Sequence, residues 1–159
     1  MSKVKKKYIE KIILTYLLVI LLVIITEVSE DYIFKADPYI FELINDNKKD
    51  VLIYEIKKNP EVIDKTDFIG RTALHYAVDE KKYWAVETLL KYDIDINGKD
   101  RKGWTPLHYA TFPWKENKKI LILLLENGAD PTIKNNEGNT PKDFADEELV
   151  QIIKKYKNN

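Results

Sequence analysis

One stretch of this chain is written twice. Asp67-Phe-Ile-Gly70-Arg-Thr72-Ala-Leu74-His75-Tyr-Ala77 returns as Asp100-Arg-Lys-Gly103-Trp-Thr105-Pro-Leu107-His108-Tyr-Ala110, with seven like residues at a constant offset of 33. A third copy, Asn136-Glu137-Gly138-Asn139-Thr140-Pro141-Lys142-Asp143-Phe144-Ala145, follows 35 residues after the second. Leu89-Leu90 through Asn97 pairs with Leu124-Leu125 through Thr132, again 35 apart, so the two extra residues fall between Ala110 and Leu124. A period near 33 residues is one supersecondary unit repeated, and each unit must lean on its neighbours to bury its apolar face. A stack is therefore expected, not one central core.

The residue types inside the period have separate jobs. Gly70, Gly103 and Gly138 stand where a tight turn needs positive φ. Thr72, Thr105 and Thr140 occupy the N-cap of the following helix, and Pro106 and Pro141 its first turn, where a missing N–H costs nothing. A first helix carries Leu74 and Ala77, or Leu107 and Ala110, three residues apart on one face. A second carries Val86, Leu89 and Leu90, or Ile120, Leu121, Leu124 and Leu125, faces broad enough to demand cover. Upstream, Pro38 to Ile44 and Asp50 to Ile56 read as a degenerate helix pair, with Asp37 where a glycine would stand. Downstream, Pro141 to Ala145 and Glu147 to Tyr156 form a last pair, ending in Lys154, Lys155 and Lys157, charges suited to a helix C-terminus.

These motifs resemble the ankyrin repeat family, whose pattern runs D-x-x-G-x-T-P-L-H-x-A and then L-L-x-x-G-A-D. The resemblance covers roughly Ala36 to Tyr156. It implies an all-α solenoid of about four stacked helix pairs with short projecting hairpins, here preceded by one N-terminal apolar helix. The divisions are 36–66 as a degenerate N-terminal cap repeat, 67–99 and 100–134 as full repeats, and 135–159 as the C-terminal cap. The chain departs from the pattern at Ala73 for proline, Lys81-Lys82 for Gly-His, and Asp93-Ile94-Asp95 for Gly-Ala-Asp.

Residues 1–29 form a second region, an N-terminal signal-anchor or signal peptide. Ile12 to Ile25 has no charge over 14 residues and is preceded by Lys3, Lys5, Lys6, Lys7 and Lys11. Fourteen helical residues reach about 21 Å, short of a hydrocarbon layer of roughly 30 Å, which suits a cleaved signal. Extending the helix from Tyr8 to Val28 gives about 31 Å if Glu10 and Lys11 snorkel. The segment Thr26-Glu27-Val28-Ser29-Glu30-Asp31 lacks small-x-small spacing, which favours an uncleaved anchor; secretion or periplasmic release after cleavage is the alternative. Five lysines against Glu10 and Glu27 make the short flank the positive side, so the repeat domain is expected outside the cytoplasm, with residues 12–25 in the membrane. The chain has no cysteine, which excludes disulfides, thiolate catalysis and cysteine-bound zinc.

Charge adds little direction: 26 basic and 26 acidic residues cancel. The lysine pairs 48–49, 81–82 and 118–119 precede each second helix, yet Asp46, Asp50, Asp79, Glu80 and Glu116 interleave with them, so nucleic acid is not the expected partner. No phosphate-cradling loop, nucleophile elbow or H-E-x-x-H occurs, so no catalytic, cofactor or metal residues are assigned. His75 and His108, set inside T-x-L-H, are expected to hold turns and repeats together by hydrogen bonds.

In ankyrin-like stacks the hairpin tips and the end of the first helix line a concave, partner-binding surface. By that resemblance the candidate partner-binding residues are Phe68, Ile69, Arg71, Arg101, Trp104, Phe112 and Trp114. Solvated tips are normally polar, whereas large apolar groups beside arginine are enriched at binding hot spots. Phe112 and Trp114 lie in the insertion and have a second use, folding back over the helix ends. The function implied is a non-enzymatic module, exported or membrane-tethered, that docks a protein as a monomeric repeat domain. The alternative is a scaffold that assembles with itself or with membrane proteins.

Overall fold

The computed structural model describes residues 38–111 and 117–157. The apolar segment 12–25 lies outside them, as do Phe112 and Trp114. Among the described residues no helix is long and apolar enough to cross a membrane.

Among the described residues the regular elements are all helices, with one isolated antiparallel bridge between Thr66 and Thr72. Helices α1 (Pro38–Asn45) and α2 (Lys49–Lys58) form the first pair, followed by a 3-10 turn at Pro60–Asp64. Helices α3 (Ala73–Asp79) and α4 (Tyr83–Leu89) form the second, α5 (Pro106–Ala110) and α6 (Asn117–Glu126) the third. A 3-10 turn at Pro141–Phe144 and helix α7 (Glu147–Lys157) complete the fourth. The first members of the pairs pack on one another in an inner row, and α2, α4, α6 and α7 stack as an outer row. This is the repeat solenoid that the 33-residue period requires.

Each inner helix starts for the reason written in its sequence. Thr72, Thr105 and Thr140 are extended N-caps whose side chains accept the N–H three residues on, while the side chain at that third position bonds back to the cap N–H. Leu74, Ala77, Val78, Leu107 and Ala110 are then fully buried between the rows, facing Val86, Leu89, Leu121 and Leu124. At the first end Ile40, Ile44, Leu52 and Ile56 continue this core. The fourth pair opens with a 3-10 turn in place of a full helix because Lys142 and Asp143, both exposed, stand where earlier units have the buried Leu and His.

Two glycines fix how closely the hairpins nest. Gly70 (φ +83) and Gly103 (φ +75) lie in the left-handed region, and a Cβ on Gly70 would come within 3.0 Å of the Arg101 nitrogen. A Cβ on Gly103 would come within 2.8 Å of the Asn136 nitrogen. At the other end of the inner helices Lys81 takes φ +56 where the repeat pattern has glycine, and Asn47 takes φ +57 one unit earlier. The Asn47 carboxamide oxygen accepts from Trp84 Nε1 (3.0 Å) and Lys82 Nζ (3.3 Å), stapling the first pair to the second.

Candidate protein-docking surface

The hairpins are built from one carboxylate or carboxamide each. Asp67 Oδ1 accepts the N–H of Ile69 (3.0 Å) and Arg71 (2.9 Å); Asp100 Oδ1 accepts those of Lys102 (2.8 Å) and Trp104 (2.9 Å). Asn135 Oδ1 accepts from Glu137 and Asn139, both at 3.0 Å. Neighbouring tips are then joined through backbone, Arg101 N–H to Ile69 carbonyl at 3.1 Å and Asn136 N–H to Lys102 carbonyl at 3.0 Å. Side chains on this edge are therefore displayed from a braced backbone.

The histidines carry the bracing inward. The backbone N–H of Thr72 donates to His75 Nδ1 at 3.2 Å, and the Thr72 hydroxyl lies 2.9 Å from the same nitrogen. An amide N–H only donates, so Nδ1 is the acceptor and the proton sits on Nε2, which donates to the Trp104 carbonyl of the next unit at 2.9 Å. His108 repeats this, taking the Thr105 N–H (3.1 Å) and hydroxyl (2.8 Å) and donating to the Asn139 carbonyl at 3.2 Å. Both rings are fully buried, and burial, outweighing the carbonyl bonds, holds their pKa below the ordinary histidine value. The imidazoles are neutral cross-braces between units. Asp143 takes this capping place in the fourth unit, accepting the Thr140 N–H at 2.7 Å.

The residues expected to meet a partner fall into distinct environments. Phe68, at the first tip, is 65% exposed, the most open large apolar side chain among the described residues. Ile69 beside it is half-buried, and Arg101 at the second tip is exposed. Arg71 is committed elsewhere: its Nε sits 2.7 Å from Asp67 Oδ2, its guanidinium 2.6 Å from Asp79 Oδ2, and its charge lies over the Tyr76 ring at 5.3 Å. Trp104 is half-buried, not a projecting tip. Its ring lies 4.7 Å from Phe144, 5.6 Å from His108 and 5.6 Å from Tyr109, so it forms floor between the second and third hairpins.

Tyr109 and Phe144 belong to that floor without being among the expected residues, and they continue a series that runs through every unit. Phe41, Tyr76, Tyr109 and Phe144 are one aromatic residue per unit, at offsets of 35, 33 and 35. Phe41 meets Tyr76 edge-on at 5.2 Å, and the Tyr109 hydroxyl donates to Asp100 Oδ2 at 2.8 Å. Burial, then the bonded Asp100 carboxylate, raises the Tyr109 pKa far above its ordinary value. The signal was the residue after the T-x-L-H histidine, aromatic in both well-matched copies. The lysine pairs are partly occupied: Lys82 Nζ donates to the Asn45 carbonyl at 3.1 Å, and Lys118 pairs with Glu148. Among the described residues no group of His, Asp and Glu forms a metal-binding cluster.

A profile described as ankyrin repeats (3 copies) matches residues 39–135. The chain belongs to the ankyrin repeat family. Ankyrin repeats are protein-interaction modules and in general non-enzymatic. Over 88 residues the chain is 35% identical to human protein phosphatase 1 regulatory subunit 27, a match covering 55% of the chain and 56% of that protein. It is 38% identical over 91 residues to an ankyrin repeat protein of fowlpox virus (strain NVSL), covering 57% of the chain and 12% of the viral protein. A third relative, the palmitoyltransferase AKR1 of Lachancea kluyveri, is 42% identical over 76 residues, which are 48% of the chain and 10% of the enzyme. The match thus spans little more than half of one relative and a small part of the others.

Proposed function

We propose that this ankyrin repeat protein is a non-enzymatic docking module that holds one partner protein along its hairpin edge and the aromatic floor behind it. The observation that carries this is Phe68, a large apolar side chain open to solvent on a hairpin whose backbone is braced at both ends. Presenting an aromatic ring from a rigid loop lowers the ordering cost of association and is characteristic of binding hot spots. Trp104 and Tyr109, rings 5.6 Å apart, supply a half-buried floor at the second hairpin, and Arg101, whose N–H bonds the Ile69 carbonyl of the first, supplies an exposed cation. We propose further that residues 12–25 hold the module in a membrane with the repeats outside the cytoplasm, supported by the five preceding lysines and the uncharged run. Alkaline phosphatase and a cytoplasm-restricted fluorescent reporter fused to the C-terminus test the orientation; fluorescence without phosphatase activity refutes it.

Docking itself is tested with the full chain in non-ionic detergent, using the protein that co-purifies with it from its native cells. Phe68→Ala is expected to weaken that complex by about thirtyfold, equivalent to about 2 kcal/mol, and Glu137→Ala by less than about fivefold. Equal affinity of both variants and the parent would remove the hairpin edge from the interface. Self-association of the parent chain that Phe68→Ala abolishes would favour the scaffold.

A further inference from the structure

The three tips, read along the stack, are Phe68-Ile69, Arg101-Lys102 and Asn136-Glu137, and the backbone bonds between them hold this order rigidly. The charge around them is one-sided although the whole chain is neutral. The hairpin stretches 65–72, 98–105 and 132–140 contain Lys65, Arg71, Lys99, Arg101, Lys102 and Lys134 against Asp67, Asp100 and Glu137. Asp67 and Arg71 use each other, and Asp100, buried, is used by the Tyr109 hydroxyl, which leaves Lys65, Lys99, Arg101, Lys102 and Lys134 against Glu137. Asp95 and Asp130, on the approaches to the hairpins, are turned into the N–H groups of Asn97 and Thr132. Lys99 is drawn onto the third hairpin by its bond to the Lys134 carbonyl at 2.9 Å, which gathers Lys99, Arg101, Lys102 and Lys134 around the second and third hairpins, all four exposed.

We infer that the docking edge takes an acidic segment of its partner carrying one large apolar residue, the apolar group against Phe68 and Ile69 and the carboxylates against Arg101 and Lys102. This rests on the docking function proposed above and specifies the chemistry of what docks. Adjacent units in a helical stack are about 8–10 Å apart, and extended chain covers about 3.3 Å per residue, so apolar residue and acids are separated by about three positions. Because the cations are exposed, their contribution is screened by salt and acts on selectivity and encounter rate as well as affinity.

The probe is a fluorescein-labelled twelve-residue peptide containing one Phe with Glu-Glu three positions to either side, titrated against the full chain in non-ionic detergent. A second peptide has each Glu changed to Gln, and a third probe is a twelve-nucleotide oligothymidylate. The acidic peptide is expected to bind at least about fivefold tighter than the Gln peptide in low salt. It is expected to lose about tenfold on R101E/K102E and on Phe68→Ala, and to keep its affinity on R101K/K102R, with circular dichroism confirming that each variant is folded. No binding of the acidic peptide at millimolar concentration overturns the inference. So does unchanged affinity in R101E/K102E. Tighter binding of the oligothymidylate overturns it in favour of a polynucleotide. If acidic and Gln peptides bind alike and both are lost with Phe68→Ala, the edge is a docking surface but its acidic preference is refuted.

Discussion

Removing the His108 ring tests whether the T-x-L-H histidines hold the stack together. In His108→Ala the Thr105 N–H loses its acceptor at 3.1 Å, the Asn139 carbonyl loses a donor at 3.2 Å, and Trp104 loses a ring neighbour at 5.6 Å. Thr105 is fully buried, so its orphaned N–H costs about 1–3 kcal/mol, whereas Asn139 is partly open and rehydrates more cheaply. The cavity adds a comparable amount, giving about 3–5 kcal/mol in all, a large share of the 5–15 kcal/mol typical of a domain. At a urea dependence of about 2 kcal/mol per molar, the midpoint followed by circular dichroism should fall by roughly 2 M. His108→Gln separates the two roles: glutamine at this position rebuilds the cap but not the reach to Asn139, so it should recover about half the loss. An unchanged midpoint in His108→Ala would refute the cross-brace, and a His108→Gln variant no better than alanine would refute the capping share.

Acid should loosen the same braces: both histidines are held below their ordinary value, so as pH falls through about 6.5 the unfolded chain takes up protons that the fold refuses, and urea stability should drop between pH 7 and 5. The drop should be shallower in His108→Gln, and an equal slope would contradict it. Gly103→Ala should cost at least about 2 kcal/mol, because strain at φ +75 is joined by collision with the Asn136 nitrogen, while Gly138→Ala, at φ +85 in open space, should cost about 1. Equal losses, measured by urea unfolding, would mean that hairpin nesting is looser than described. Lys81→Gly, relieving a left-handed lysine at φ +56, should raise stability by about 0.5–1 kcal/mol; a lower melting temperature would show that the lysine side chain matters more than its backbone.

The fold was legible because its determinants are local and repeated. Gly70, Thr72, Leu74 and His75 each do a job within a few residues of themselves, and the 33-residue offset shows the same job done again at Gly103, Thr105, Leu107 and His108. The shortening of the fourth inner helix was not legible from Pro141 alone, because it goes with Lys142 and Asp143 being exposed where Leu107 and His108 of the preceding unit are buried. The docking surface was legible in part. Position in the hairpin placed Phe68 and Arg101 in solvent, but the fates of Arg71 and Trp104 are set by contacts eight and forty residues away, Asp79 and Phe144. The aromatic column of Phe41, Tyr76, Tyr109 and Phe144 is periodic in the sequence, but a tyrosine on an inner helix reads equally as core. Phe112 and Trp114, counted among the candidates, lie outside the described residues.

The central claim, that a partner lies along the hairpin edge, is tested most directly by placing a photo-crosslinking phenylalanine analogue at Phe68 and, separately, at Tyr54, an exposed aromatic on α2 in the outer row that is 59% exposed. Each protein is irradiated in its native cells. A discrete adduct of the same mass from position 68, weakened in the R101E/K102E background and absent from position 54, is the predicted result. An adduct at position 54 with none at position 68 would place the partner on the outer face and contradict the account.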